Sequence, residues 1–257
     1  MVKKLPLFLV ICCFIALSFN NGEVKSKTYY YKSSDSQGYI SVEKAEGING
    51  NTILTTRVNA NFDNEKLDFN LSTTCDSDKL VNATQIVFDG TIDSNMNPVS
   101  FTGKRVKESN SASYWAFEGD YKNEMSIDPE VNQFIDSKHK SMIRMPSRTI
   151  PSFNVLAIVP NLEFDRKGTF KFNALDETKL YVKKNQTINY LGQEDTAVDG
   201  KNTKLHKFVH QGKGMVPAYY WVNDSKELVK IVLDGKFTFT MSDKEAILFD
   251  NVAEGNK

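Results

Sequence analysis

The sequence predicts an all-β protein, a long antiparallel meander curled into a roll or half-barrel with one or two short helices. Three observations carry this. Segments in which apolar and polar residues alternate, rich in aromatic and β-branched side chains, recur along the chain. Four residue pairs suited to the left-handed dihedrals of tight turns are spread through it, at Asn49-Gly50, Asp89-Gly90, Asp199-Gly200 and Asp234-Gly235. A proline-bracketed apolar stretch, Pro146 to Leu175, separates two strand-rich halves.

In chain order, Thr28 to Tyr31 and Tyr39 to Val42 read as strands, and Asn49-Gly50 turns the chain into a returning strand at Thr52 to Phe62. Leu67, Phe69 and Leu71 alternate with Asp68, Asn70 and Ser72, a strand with one face buried. Ile86 to Phe88 leads to a second turn signal at Asp89-Gly90. Val99, Phe101 and Tyr114 to Phe117 continue the meander. At Asp128-Pro129 an aspartate cap and a proline in the first turn, followed by Val131, Phe134 and Ile135, predict a short helix. Its basic tail, Lys138 to Arg144, reads as a solvated loop.

The central stretch predicts a second short helix near 152–160. Pro151 and Pro160 bound it, Ser152 is the candidate N-cap, and Phe153, Leu156, Ala157 and Val159 recur at helical spacing. Phe170 and Phe172 then alternate with polar residues as a strand. Beyond it, Thr187 to Ala197 and Thr203 to His210 are strands joined at Asp199-Gly200. Leu228 to Leu233 and Lys236 to Met241 form a hairpin through Asp234-Gly235, with Phe237, Phe239 and Met241 on one face. No repeat of fixed period and no low-complexity linker interrupts residues 22–257, which read as a single β-rich domain with a tail that frays after Asp250.

Charge narrows the possible partners. The 257 residues carry 32 basic and 32 acidic side chains, and no basic stripe suited to nucleic acid stands out. Hydrophobic residues make up 40%, enough at this length for a substantial core. The amino terminus has the form of an export signal: Lys3 and Lys4, an apolar run from Leu5 to Leu17, and a small-x-small site at Ala16 to Ser18. Residues 1–21 are therefore expected to be removed, with cleavage near 18–22, leaving a periplasmic or extracellular protein with no stable membrane span. Cys12 and Cys13 lie within the apolar run, where Ile11 is too bulky for a lipidation site. Cys75 is then the only cysteine of the mature chain, which excludes an internal disulfide and suits a small buried hydrophobe.

Searching for chemistry yields little. There is no serine elbow and no metalloprotease motif. His206 and His210 share a strand face about 13 Å apart, too far for one ion, and His139 is remote in sequence, so no metal is expected. No cofactor is expected either. Gly212-Lys213-Gly214 precedes Pro217 and reads as a connection, not a phosphate loop. Sequons occur at Asn70, Asn82, Asn185 and Asn223, as an asparagine-rich chain produces by chance. Tyr219 and Trp221 point to one face of a strand and Tyr220 to the other; one of these faces, with Trp115, is a candidate ligand-binding surface, to which His206 is added.

The second half also resembles a domain-of-unknown-function family of exported bacterial proteins, over roughly residues 150–241. The matching order is the helix at Phe153 to Val159, the glycine-led strand Gly168 to Phe172, Gly192-Gln193-Glu194 and Val198-Asp199-Gly200. It continues with Leu205 to Phe208 and then Tyr220 to Asp224 running into Leu228 to Ile231. The resemblance implies a β-roll in an envelope compartment and assigns no functional residues. Together these readings lead to an exported protein that binds an apolar or amphipathic, lipid-like small molecule, or an envelope protein, on the hollow side of a curled sheet. The alternatives are a secreted hydrolase using a carboxylate pair or His206, and a structural or assembly protein.

Overall fold

The computed structural model describes residues 26–245 apart from 36–37, 48, 64, 77–79, 93–97, 121–132, 138–139, 165–168, 179 and 199. The segment expected to be an export signal, with Cys12 and Cys13, His139 and the tail after Asp250 lie outside the described residues.

A single 16-stranded sheet accounts for the architecture. Its first half is an antiparallel meander through β1 (Ser26–Ser33), β2 (Gly38–Glu46), β3 (Thr52–Phe62), β4 (Glu65–Cys75), β5 (Ala83–Thr91), β6 (Pro98–Glu108) and β7 (Ala112–Asp120). Beside β7 lies β9 (Lys140–Pro146), with β8 (Gln133–Ser137) outside it as one edge. The chain then enters β10 (Thr149–Pro151), which is the other edge of the sheet. From there β11 (Thr169–Asp176), β12 (Tyr181–Val198), β13 (Lys201–Gln211), β14 (Ala218–Val222), β15 (Leu228–Leu233) and β16 (Phe237–Ser242) return strand by strand until β16 pairs with β1.

This order forces the sheet to curl. Only Ser147 and Arg148 join β9 to β10, and so short a link reaches about 7–10 Å. The two margins of the sheet must therefore lie side by side, which makes a nearly closed, barrel-like roll. Backbone bonds pin the link: Ser147 N–H donates to Ser111 O at 3.0 Å, and Asn173 N–H donates to Arg148 O at 3.0 Å. The β10–β11 pairing is parallel, whereas the other pairings are antiparallel.

Glycines inside strands help the sheet bend. Gly90 lies directly across from Phe69, so close that a Cβ would meet Asp68 O at 2.3 Å and Phe69 Cα at 2.4 Å. Gly119 stands in the same relation to Phe101, with φ of 145°. Close approach and positive φ both exclude a side chain, as at the glycine kinks of curved sheets. Asp89-Gly90 is thus no turn; β5 runs through it to Thr91. The other three pairs do mark turns, since Gly50, Gly200 and Gly235 adopt φ of 71°, 75° and 71° between paired strands.

A second correction concerns residues 128–144. The helix expected from Asp128 lies partly outside the described residues, but Phe134 and Ile135 belong to strand β8, paired with Met142 and Ser141. Of the basic segment read as a loop, residues 140–144 belong to strand β9, whose Ser141, Ile143 and Met145 are buried in alternation with Met142 and Arg144. An extended partner is available here, and backbone pairing of β8 with β9 decides against the helix.

The helical insert forms where it was expected, as 3₁₀ turns at Ser152–Asn154 and Val159–Asn161 around α1 (Val155–Ile158). Ser152 does not cap it. Glu177, after β11, takes that role: its carboxyl meets the Ser152 hydroxyl and accepts from Phe153 N–H at 3.3 Å. The insert is packed inside the roll, and Val155, Leu156, Ile158 and Val159 join the same apolar cluster as residues of both sheet halves. Phe153 meets Phe69 edge-on at 5.2 Å. From there Phe69, Phe88, Phe101 and Phe117 form a ladder across β4 to β7, with centroids 4.8, 5.2 and 5.8 Å apart. Each such pair adds about 0.5–1.5 kcal/mol beyond area burial.

Candidate functional site

The insert leaves one end of the roll incompletely filled. There a cleft of about 710 Å³ opens between its carboxy-terminal half and the first strands. Leu156, Ala157 and Pro160 form one wall, and Tyr29, Tyr31 and Val42 the other, with Leu228 beside them. The volume falls within the usual range for small-molecule sites.

Strand alternation builds the second wall. Lys27, Tyr29 and Tyr31 lie on one face of β1 and are paired across to Lys44, Val42 and Ile40 on β2. Exposure falls along this series: Lys27 and Lys44 are exposed, Tyr29 is half-buried, and Tyr31 and Ile40 are buried. Burial pushes the Tyr31 phenol far up, so it stays neutral. The rim carries Lys27, Lys44, Lys226 and the carboxylate of Glu46.

The β14–β15 turn holds the mouth in place. Asn223 and Glu227 close it reciprocally, through Asn223 Nδ2–H to Glu227 Oε2 at 3.0 Å and Glu227 N–H to Asn223 Oδ1 at 2.9 Å. Lys226 there has φ of 61°, a left-handed conformation for a residue with a side chain. Its ammonium donates to Leu162 O at 2.6 Å and lies 3.5 Å from the centre of the Phe164 ring. Lys27 donates to Glu227 at 3.0 Å. Hydrogen bonds to Tyr29 and Glu227 hold the Lys27 pKa above its usual value, while that of Glu227 is lowered by its bonds to Asn223 and Lys27.

His206 lies next to this turn but does not line the cleft. Its ring stacks on Phe164 at 3.7 Å. Lys226 and His206 must occupy opposite faces of Phe164, because both lie within 4 Å of its centre and one face cannot hold both. The imidazole meets the Tyr190 hydroxyl at Nδ1, 2.8 Å away, and Asp224 at Nε2, 2.9 Å away. Gln193 Nε2 also meets Nε2, at 3.2 Å, and burial, with Asp224 nearby, raises the Tyr190 phenol. The hydroxyl within reach of His206 is thus a phenol, the carboxylate is that of Asp224, and Phe164 stacks on the ring.

The other sequence-derived candidates fall elsewhere. Trp115 is buried and donates through Nε1 to Ser113 Oγ at 3.0 Å, beside a second cavity of about 510 Å³ near the β9–β10 link. Tyr219 and Trp221 do meet, with centroids 6.1 Å apart, but on the outer face of the sheet. There Trp221 packs with Leu205 and Val229 and donates to Glu194 Oε1 at 2.7 Å. Burial opposes ionisation of Glu194, yet bonds from Lys207 and Trp221 outweigh it and hold the carboxyl below its usual range. Tyr220, not Trp221, shares the interior with Trp115. Of the two faces that the sequence offered as partner to Trp115, it is that of Tyr220, and Tyr219 and Trp221 lie apart from it.

Cys75 is buried, and desolvation pushes its thiol up to about 12. His206 and His210 share a face of β13 but have separate partners, His210 Nε2 meeting Gln186 Oε1 at 3.3 Å. Among the described residues no cluster of three metal-ligating side chains forms, and no helix is long and apolar enough to cross a membrane. The cleft residues Tyr29, Tyr31, Lys27, Lys44 and Lys226 were missed from sequence. The available signal was the alternation from Lys27 to Tyr31, whose partner on β2 only pairing reveals.

Comparison with known proteins adds no relative: no family model, no curated protein and no solved structure matches the chain.

Proposed function

We propose that this is an exported envelope protein that binds an apolar or amphipathic small molecule in the end cleft, by burial of surface and without bond chemistry. The observation that carries the reading is the cleft itself, apolar on both walls, with tyrosines below and charged side chains at the rim. The signal-like amino terminus supports the envelope location.

Native mass spectrometry of the mature protein isolated from an envelope fraction, followed by denaturing extraction, tests this without a guess about the ligand. A reproducible bound species is expected. Ala157→Phe, which places a ring in the cleft from the insert, should abolish it. A clean apo mass, together with no binding of medium-chain amphiphiles by the unsubstituted protein, would overturn the reading.

A further inference from the structure

Two lysines face each other directly across β1 and β2: Lys27 is the register partner of Lys44. Like charges in this relation destabilise a strand pair, because their Cβ atoms stand about 5 Å apart. A third lysine, Lys226, reaches the same rim from the β14–β15 turn. Against the three stand Glu46 on the rim and Glu227 bound to Lys27, which leaves one positive charge in excess.

The compensation is uneven as well as incomplete. Lys27 is engaged by Glu227 at 3.0 Å. Lys226 is held by a neutral carbonyl, Leu162 O, and by the face of Phe164, so its charge meets no carboxylate among the described residues. Lys44 makes no ion pair among the described residues. Below these ammonium groups the wall becomes steadily more apolar, through Tyr29 and Val42 to Tyr31 and Ile40. A ligand matched to this gradient has a negative head and an apolar body.

We infer that the occupant of the end cleft is an anionic amphiphile with a single apolar chain, its carboxylate or phosphate seated between Lys44 and Lys226 and its chain lying against Tyr29, Val42 and Leu156. This rests on the proposal that the cleft is a ligand site and adds the charge and form of the ligand. Electrostatic attraction at a partly exposed rim is modest and screened by salt, whereas burial of the chain is not. Head and chain can therefore be separated by experiment.

Isothermal titration of the mature protein, below micelle-forming concentrations, would compare dodecanoate and dodecyl phosphate with uncharged monododecanoyl glycerol. One-to-one binding of at least one anion is expected, weakened about tenfold by the exposed charge reversal Lys44→Glu and weakened by added salt. The uncharged probe should bind more weakly and respond to neither change. Ala157→Phe should remove binding of both kinds. A preference for carboxylate or phosphate would distinguish the two head chemistries, and either supports the inference. Equal binding of charged and uncharged probes, indifferent to Lys44→Glu, would overturn it and leave the cleft as an apolar site. No binding of any probe by the unsubstituted protein would overturn the cleft proposal and this inference with it.

Discussion

Glu177 closes the amino-terminal end of the helical insert with a carboxyl group that water does not reach. Desolvation dominates its titration and raises its pKa to about 8, against the lowering effect of the bond to Ser152. The folded chain therefore keeps a proton that the unfolded chain releases near pH 4.5, and this group's contribution falls as pH rises from about 4.5 to about 8. Glu177→Gln retains one acceptor and gains amide donors. It should match the parent near pH 4.5 and exceed it in stability above pH 8, by roughly 2–4 kcal/mol. Urea midpoints measured across that interval check this; a difference that does not vary with pH would show that Glu177 is not held neutral. At the outer face, Trp221→Phe should cost about 1 kcal/mol, since Glu194 loses one of its two donors, and should raise the Glu194 pKa, as followed by carboxyl chemical shifts. Sequence reading found the hydrophobic alternation at Tyr219 and Trp221 but not which face becomes the interior. That choice belongs to the larger cluster around Tyr220.

Among the elements, the insert and the kinked strands support the roll in different ways. Phe153 anchors the insert to the aromatic ladder through Phe69. Truncating it as Phe153→Ala should lower stability by about 2–4 kcal/mol in denaturant unfolding, because a ring is lost that neighbours on two elements cannot replace. Gly90→Val places a branched side chain against the backbone of Phe69 and should cost more than about 3 kcal/mol or prevent folding, as judged by denaturation and soluble yield. Unchanged stability would mean that β5 and β4 are not in close contact there. The insert was legible because two prolines and a helical apolar spacing agree. The residues from Asp128 to Arg144 misled for a physical reason: Val131, Phe134 and Ile135 fit helical spacing, and basic side chains obscure the alternation of Ser141, Ile143 and Met145. Pairing of β9 with β7 and of β8 with β9 supplies backbone partners that no local pattern specifies.

At the scale of the whole molecule, two buried titratable groups give opposite slopes. Burial lowers His210 to about 4, so the unfolded chain takes up a proton near pH 6.5 that the folded chain refuses, and stability falls as pH drops from about 6.5 to about 4. This slope offsets that of Glu177 between about 4.5 and 6.5. A plateau of stability in that interval is expected, with decline toward pH 8 on one side and below pH 4.5 on the other, where the low-titrating Glu194 and Glu227 also lose their ionised contacts. Thermal melts against pH check it, and Glu177→Gln should remove the alkaline decline and, with nothing left to offset His210, turn the plateau into a rise in stability from about pH 4.5 to 6.5. By itself the sequence determined the all-β class, most strand positions, three glycine turns and the helical insert, because periodicity and turn dihedrals are properties of neighbouring residues. Only the tertiary structure decided that β1 pairs with β16, that the edges meet beside Ser147 and Arg148, and that Lys27, Lys44 and Lys226 share one rim. Such contacts join residues as much as 200 positions apart, as Lys27 to Glu227 shows. The closure of the sheet, not any local preference, brings them together.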